Sequence, residues 1–240
     1  MQTAKDKTLI IIPTFNEAEN VLALYRRIKE LGAGEDILFV DDNSADGTRQ
    51  IIEGIIQDDP RVHILKRQHK EGIARAYLAG FRWGLDQGGY AWFQEMDADL
   101  SHDPKYLADF EKFKTDNQAI VASRYIKEGK VEKWDFLRRS LSFLGCWYIR
   151  LILQCPLQDL TGGFNCWHRD VVSSFDLDKI ISRGFVFQAE LKFIAFRKGF
   201  KIAEFPYTFK EREKGRSKIN YRIVIEGLLK PVLIRLNYRS

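Results

Sequence analysis

The sequence predicts an α/β fold: a Rossmann-like, mainly parallel sheet with helices on both faces and amphipathic helices toward the C-terminus. Two observations carry this. Short β-type runs alternate with amphipathic segments through residues 1–120, and polar and acidic clusters follow those runs.

The first run, 8–12 (TLIII), is apolar after Thr8 and rich in β-branched residues, as a strand buried on both faces is. Runs at 37–40, 62–65, 90–93 and 119–122 repeat the pattern. Between them, 17–31 sets Val21, Leu24, Tyr25, Ile28 and Leu31 on one helical face, 48–56 follows Asp46-Gly47, and 72–85 precedes Asp86-Gln87-Gly88-Gly89. After 122 the alternation breaks. Residues 136–153 are dense in large apolar side chains and carry Arg138, Arg139 and Arg150, and 219–236 is a second segment of this kind. Each reads either as a buried helix or as an interfacial helix at the level of lipid headgroups.

The chain has 240 residues, 45% hydrophobic, enough for one core. One domain over 1–218 with a C-terminal amphipathic helix over 219–240 is the expected division. Cys146, Cys155 and Cys166 have no metal-finger spacing and read as core thiols of a reducing, cytoplasmic compartment. Residues 1–120 hold 15 Lys+Arg against 21 Asp+Glu, and residues 121–240 hold 23 against 12. The acidic half suits metal chelation and the basic half suits phosphates, anionic lipid or nucleic acid. Lys and Arg interrupt the apolar runs before they reach the roughly 18 residues needed to span a bilayer. The expectation is a peripheral protein on a cytosolic membrane face, with no transmembrane span.

Met96-Asp97-Ala98-Asp99 is the most informative stretch. In extended backbone, side chains two apart point the same way, so Asp97 and Asp99 converge at a strand's carboxyl end. Paired carboxylates repel unless a cation neutralises them, and a hard divalent ion shared with substrate phosphates does so. An Asp-rich turn capping a helix from Asp103-Pro104 also accounts for these residues alone. Pro13-Thr14-Phe15-Asn16-Glu17 and Asp41-Asp42-Asn43-Ser44-Ala45-Asp46-Gly47-Thr48 close the first two strands, where they serve either as ligand groups or as helix caps through Asn16 and Asp46.

This combination resembles family 2 glycosyltransferases of GT-A fold, and among them the dolichol-phosphate (polyprenol-phosphate) mannosyltransferases. The resemblance adds Ala122-Ser123-Arg124-Tyr125, Asp159-Leu160-Thr161-Gly162-Gly163-Phe164 and the basic run 209–218 to the motifs above. It implies that Pro13, Phe15, Glu17 and Asp42 line the nucleoside pocket of a sugar nucleotide. It implies that Asp97 and Asp99 bind Mg2+ or Mn2+, with Ser101 where the family often has a Gln ligand. Arg124, Arg138 and Ser142 look like the clamp for an acceptor phosphate, within a membrane-proximal segment, 134–155. Arg212 and Lys218 resemble the family's mobile loop over the donor diphosphate, and Asp159 its sugar-binding group, with Gln188 or Glu190 either joining it or forming the polar face of a packing helix.

The resemblance therefore implies inverting transfer of mannose from GDP-mannose to dolichyl or polyprenyl phosphate, with attachment by amphipathic surface or by an anchoring membrane-protein subunit. The same chemistry with UDP-glucose and a family 2 transferase for a soluble glycan are the alternatives. A nucleic-acid-binding protein is the non-enzymatic rival, disfavoured because no nucleic-acid fold pattern is present.

Overall fold

The computed structural model describes residues 7–32, 34–211 and 221–238, with backbone alone for 221–225. The elements run β1 (Thr8–Thr14), α1 (Ala18–Glu30), β2 (Asp36–Asp41), α2 (Thr48–Asp58), β3 (Val62–Lys66), α3 (Ile73–Gln87) and β4 (Trp92–Glu95), the alternation expected from the sequence. A 3-10 turn at Pro104–Tyr106 leads into α4 (Leu107–Glu111) and β5 (Ala119–Ser123). Then follow β6 (Lys130–Val131), α5 (Phe136–Leu153), β7 (Asn165–His168), α6 (Arg169–Ser174), α7 (Val186–Arg197), β8 (Ile202–Pro206), β9 (Thr208–Phe209) and α8 (Tyr221–Asn237).

The main sheet has seven strands in the order β3-β2-β1-β4-β7-β5-β8, and β6 pairs with β9 in a small second sheet. Parallel pairing holds except at β7, which is antiparallel to both β4 and β5. That reversal explains where the sequence alternation breaks. It also brings the segment entering β7 to the same edge at which β1, β2, β4 and β5 end. Polar loops from both halves of the chain thus meet at one edge, where open α/β sheets place ligands.

Alternation along β1 divides the core. Ile10 and Ile12 pack with Phe39 against Val21, Leu24 and Ile28 of α1 and Ile52 of α2. Leu9 and Ile11 pack with Leu38 and Val40 against Tyr77 and Phe81 of α3 and Phe187 and Leu191 of α7. Helix α3 lies very near the sheet because Gly80 and Gly84 face it. A Cβ on Gly80 would stand 2.5 Å from Ile11 Cγ2, and one on Gly84 2.5 Å from Phe93 Cε1.

A third cluster joins α5, α7 and α8 through Cys146, Ile149, Leu153, Val186, Phe193 and Ile234. The C-terminal helix packs on the α/β body: Tyr148 Oη donates to the Leu228 carbonyl at 2.9 Å and Tyr238 Oη to Glu190 at 3.1 Å. All three cysteines are buried and unbridged. Helix α5 buries one narrow side only. Phe136, Leu137, Leu141, Phe143, Leu144, Trp147 and Leu151 are half exposed or more, and Leu228, Leu229 and Leu236 of α8 are over half exposed. Among the described residues, no helix is long and apolar enough to cross a membrane.

Candidate active site

Two loops meet at the ends of β1 and β2, turned by Asn16 (φ 56°) and Asn43 (φ 63°) in the left-handed region that Asn tolerates. They are stitched together. Asn16 N–H donates to Ser44 Oγ at 2.9 Å, Ala45 N–H to Asn16 Oδ1 at 3.0 Å and Glu17 N–H to Thr48 Oγ1 at 2.9 Å. Asp46 accepts from the first helical amides of both α1 and α2, Ala18 at 3.0 Å and Thr48 at 3.1 Å. It therefore caps two helices at once, whereas Asn16 bridges loops and caps neither. Pro13, Phe15 and Glu17 are partly exposed along this rim and Asp42 is buried beside them. Arg67 ion-pairs with both Asp42 and Glu71. Burial raises the Asp42 carboxyl above its ordinary value, although the Arg67 charge opposes this. Lys70 Nζ lies 3.6 Å from the centre of the Phe15 ring. Arg67 and Lys70 were not legible beforehand, because they arrive from the far end of β3.

The Asp97–Asp99 pair departs from the extended geometry expected of it. Strand β4 ends at Glu95, and residues 98 and 99 form a turn. Leu100 follows with φ 64°, an arrangement costing a branched residue about 1–2 kcal/mol. Burial of the Leu100 side chain in the core and a bond from Ser101 N–H to Asp99 Oδ1 at 3.1 Å hold it there. A turn, not strand alternation, therefore sets the backbone that carries the two carboxylates. Tyr77 Oη donates to Asp97 Oδ1 at 3.1 Å, and Asp97 N–H donates to His102 Nδ1 at 3.0 Å. His102 stacks on Phe164, centroids 4.7 Å apart. With Nδ1 accepting, its proton sits on Nε2, and burial lowers its pKa against the pull of Asp97 and Asp99.

Among the described residues, no group of three His, Cys, Asp or Glu forms a protein-only metal cage. Two carboxylates in one tight turn nevertheless fit a hard divalent ion that keeps most of its coordination for water and phosphate oxygens. Ser101 is buried, and its carbonyl accepts from Lys210 N–H at 3.4 Å.

On the other side, Arg124 and Asp159 form a buried pair. Nε donates to Oδ2 and Nη2 to Oδ1, both at 2.7 Å, and Nη2 also reaches Thr161 Oγ1 at 2.9 Å. Asp159 further accepts from the amides of Arg124 at 3.0 Å and Gly162 at 2.9 Å. Four donors fill a carboxylate's acceptor sites. The expectation that Asp159 takes sugar hydroxyls is therefore corrected: it orients Arg124 and the 159–163 loop. Lys192, fully buried on α7, fastens that loop from beneath by donating to the carbonyls of Asp159 at 2.9 Å and Gly162 at 2.8 Å.

Gln188 is corrected in the same way. It is 6% exposed, its Oε1 accepts from Asn165 at 2.9 Å, and its Nε2 donates to Glu95 at 3.0 Å. Glu95 also accepts from Asn165 at 2.8 Å and Trp167 at 2.9 Å, yet burial pushes its carboxyl up to about 7. Nothing in the Gln94-Glu95 pair within a strand announces this network. Glu190 accepts from the amides of Ile181 at 3.1 Å and Ser182 at 2.9 Å, a structural duty.

Arg138 and Ser142 lie four residues apart on one face of α5. Ser142 Oγ bonds Tyr125 Oη at 2.7 Å, tying the helix to the loop after β5, and Arg138 Nη1 donates to Glu211 at 2.6 Å. Lys210 Nζ reaches Asp103 at 3.0 Å, so the approach to the basic run is moored beside the carboxylate turn. Arg212 and Lys218 lie outside the described residues.

A doubly covered α/β sheet with an Asp-x-Asp turn and polar loops along one edge is the architecture of GT-A glycosyltransferases. Residues 9–175 match the glycosyl transferase family 2 domain, and the chain belongs to that family. It is 39% identical over 223 residues to the undecaprenyl-phosphate mannosyltransferase of Micrococcus luteus, covering 93% of this chain and 91% of that one. It is 38% identical over 226 residues to the polyprenol monophosphomannose synthase of Mycolicibacterium smegmatis, covering 93% and 85%. A glucosyl-3-phosphoglycerate synthase of Mycobacterium tuberculosis, solved with Mn2+ and UDP, shares the fold at TM-score 0.67 and 15% identity, over 98% of this chain and 80% of that one.

Proposed function

We propose that the protein transfers mannose from GDP-mannose to the phosphate of a polyprenyl or dolichyl phosphate, with inversion at the anomeric carbon. The observation that carries this reading is a placement. Helix α5 bears Arg138 and Ser142 beside the Arg124 loop and, on its open side, a continuous apolar surface. A lipid phosphate has both chemistries, a charged head and an apolar tail. The named functions of the Micrococcus and Mycolicibacterium relatives support the choice of mannose and polyprenyl phosphate.

In this reading the nucleoside lies against Pro13, Phe15, Glu17 and Asp42. Asp97 and Asp99, with Ser101 adjoining, hold Mg2+ or Mn2+, which supplies charge neutralisation to the leaving diphosphate. An acceptor phosphate oxygen attacks the anomeric carbon in line as the bond to the donor diphosphate breaks, releasing GDP. The phosphate is already anionic near pH 7, so no general base is required. Arg138 and Ser142 bind the acceptor phosphate, Arg124 is held toward it by Asp159, and Arg212 and Lys218 supply positive charge over the diphosphate. The exposed faces of α5 and α8 lie on the cytosolic surface of an anionic membrane, directly or beside an anchoring membrane subunit.

The test is transfer of radiolabelled sugar to short-chain polyprenyl phosphate from GDP-mannose, and in parallel from UDP-glucose, with Mg2+, Mn2+ or EDTA. Label entering the lipid phase from GDP-mannose only with metal supports the reading. Transfer from UDP-glucose alone replaces the donor, and transfer from neither rejects the acceptor class.

A further inference from the structure

The Arg138 guanidinium is already engaged. Its Nη1 donates to Glu211 Oε1 at 2.6 Å, and its Cζ stands 4.2 Å from the centre of the Trp134 ring. Two donors of this pair, Arg138 Nε and Trp134 Nε1, are buried and have no hydrogen-bond partner among the described residues. Buried unpaired N–H groups cost free energy, and two on adjoining side chains beside a cation suit an incoming anion.

Glu211 reaches Arg138 from a moored strand. Val131 lies opposite Phe209 in the β6·β9 pair, and Glu132 N–H donates to the Phe209 carbonyl at 2.9 Å. Lys210 is fixed to Ser101 and Asp103 at 3.4 and 3.0 Å. The ion pair itself is open to solvent, with side chains 25% and 36% exposed, which suits an exchangeable contact.

We propose that Arg138 and Trp134 form a cradle for a phosphate monoester and that Glu211 is its internal occupant, replaced when the acceptor phosphate arrives. The proposal rests on the reading of α5 as the acceptor helix. The exchange is favoured by chemistry. A carboxylate brings one charge and two oxygens, and Glu211 satisfies Nη1 while leaving Nε and the indole N–H unpaired. A phosphate monoester brings nearly two charges and three terminal oxygens, enough to accept from all three donors.

Two variants test this in the full chain. Glu211→Gln keeps the shape and removes the charge, and the KM for short-chain polyprenyl phosphate is expected to fall about two- to fivefold, the usual reach of a part-exposed ion pair. An unchanged or raised KM overturns the internal-occupant assignment. Trp134→Phe keeps the ring and removes the N–H, and is expected to raise that KM. A readout independent of transfer is the indole Nε1–H resonance that disappears in Trp134→Phe. It should move on titration with inorganic phosphate, at lower phosphate in Glu211→Gln, and a resonance indifferent to phosphate overturns the cradle. If the wild-type protein transfers no sugar to polyprenyl phosphate while this resonance responds, the acceptor reading fails and the cradle stands.

Discussion

Arg124 and Asp159 face each other in a closed fork, two bonds of 2.7 Å with the carboxylate fully buried and the guanidinium side chain 7% exposed. Burial alone would raise the Asp159 carboxyl, but the Arg124 charge and hydrogen bonds, with Lys192, outweigh it and hold the carboxyl at about 2. Because the folded value lies below the unfolded one, this stabilisation is complete above pH ~4 and is lost as pH falls toward 2. Asp159→Asn leaves a buried cation unpaired and is expected to cost about 3–5 kcal/mol in urea unfolding. The variant should also lose part of the acid dependence between those pH values. A wild-type unfolding midpoint would show that the fork does not hold the loop.

The Asp-x-Asp turn makes a prediction readable without turnover. Asp99→Asn is expected to reduce transfer at least about 100-fold, as removal of a metal ligand should. The wild-type protein should gain thermal stability from GDP only when Mn2+ or Mg2+ is present, and the variant should not. A metal-dependent shift retained in Asp99→Asn would move the ion elsewhere.

Helix α3 has no room for a methyl group. Gly84→Ala would set a Cβ 2.5 Å from Phe93 and 2.7 Å from Leu9 Cδ2, and Gly80→Ala would crowd Ile11. Each is expected to destabilise by about 1–3 kcal/mol through overpacking, despite the better helix propensity of Ala. A raised melting temperature for either would show that helix and sheet separate easily.

The open side of α5 should bind lipid. Leu141→Ser, Leu144→Ser and Leu151→Ser combined change residues 61%, 56% and 59% exposed, so the melting temperature should move little. Flotation with anionic vesicles should be largely lost, since each Leu withheld from lipid forfeits about 1.5–3 kcal/mol when fully buried. Trp147 fluorescence should shift to the blue on vesicle addition in the wild-type protein. Unaltered flotation of the triple variant would leave the apolar side for a protein partner.

The first four strands and their helices were legible because a parallel, doubly covered strand demands an unbroken apolar run such as 8–12, and its helix a single apolar stripe. Strand β7 was not, since in Asn165-Cys166-Trp167-His168 the Asn165 amide and the Trp167 N–H turn inward to Glu95 and Gln188, and His168 caps α6. The carboxylates Asp97 and Asp99 could be named from sequence, but their turn could not, because nothing in Leu100 announces a positive φ. Asp159 was singled out for the right loop and given the wrong partner. A buried aspartate beside a glycine pair reads as a ligand group until the arginine 35 positions earlier closes on it. Gln188 erred in the same direction, since a polar residue on a helix does not reveal that its whole helix is interior.

The antiparallel entry of β7 also decides how the gene can be cut. In the proposed reading the nucleoside-side and metal-side groups precede residue 104, whereas the acceptor-side groups and the diphosphate-side Arg212 and Lys218 follow β5. The two halves share the core in which Leu9 and Ile11 meet Phe187 and Leu191, the Glu95 network with Asn165, Trp167 and Gln188, the β4·β7 seam and the mooring of Lys210 on Ser101 and Asp103. A recombination crossover in the partly exposed stretch 112–118 would therefore succeed only between parents that match across that common core.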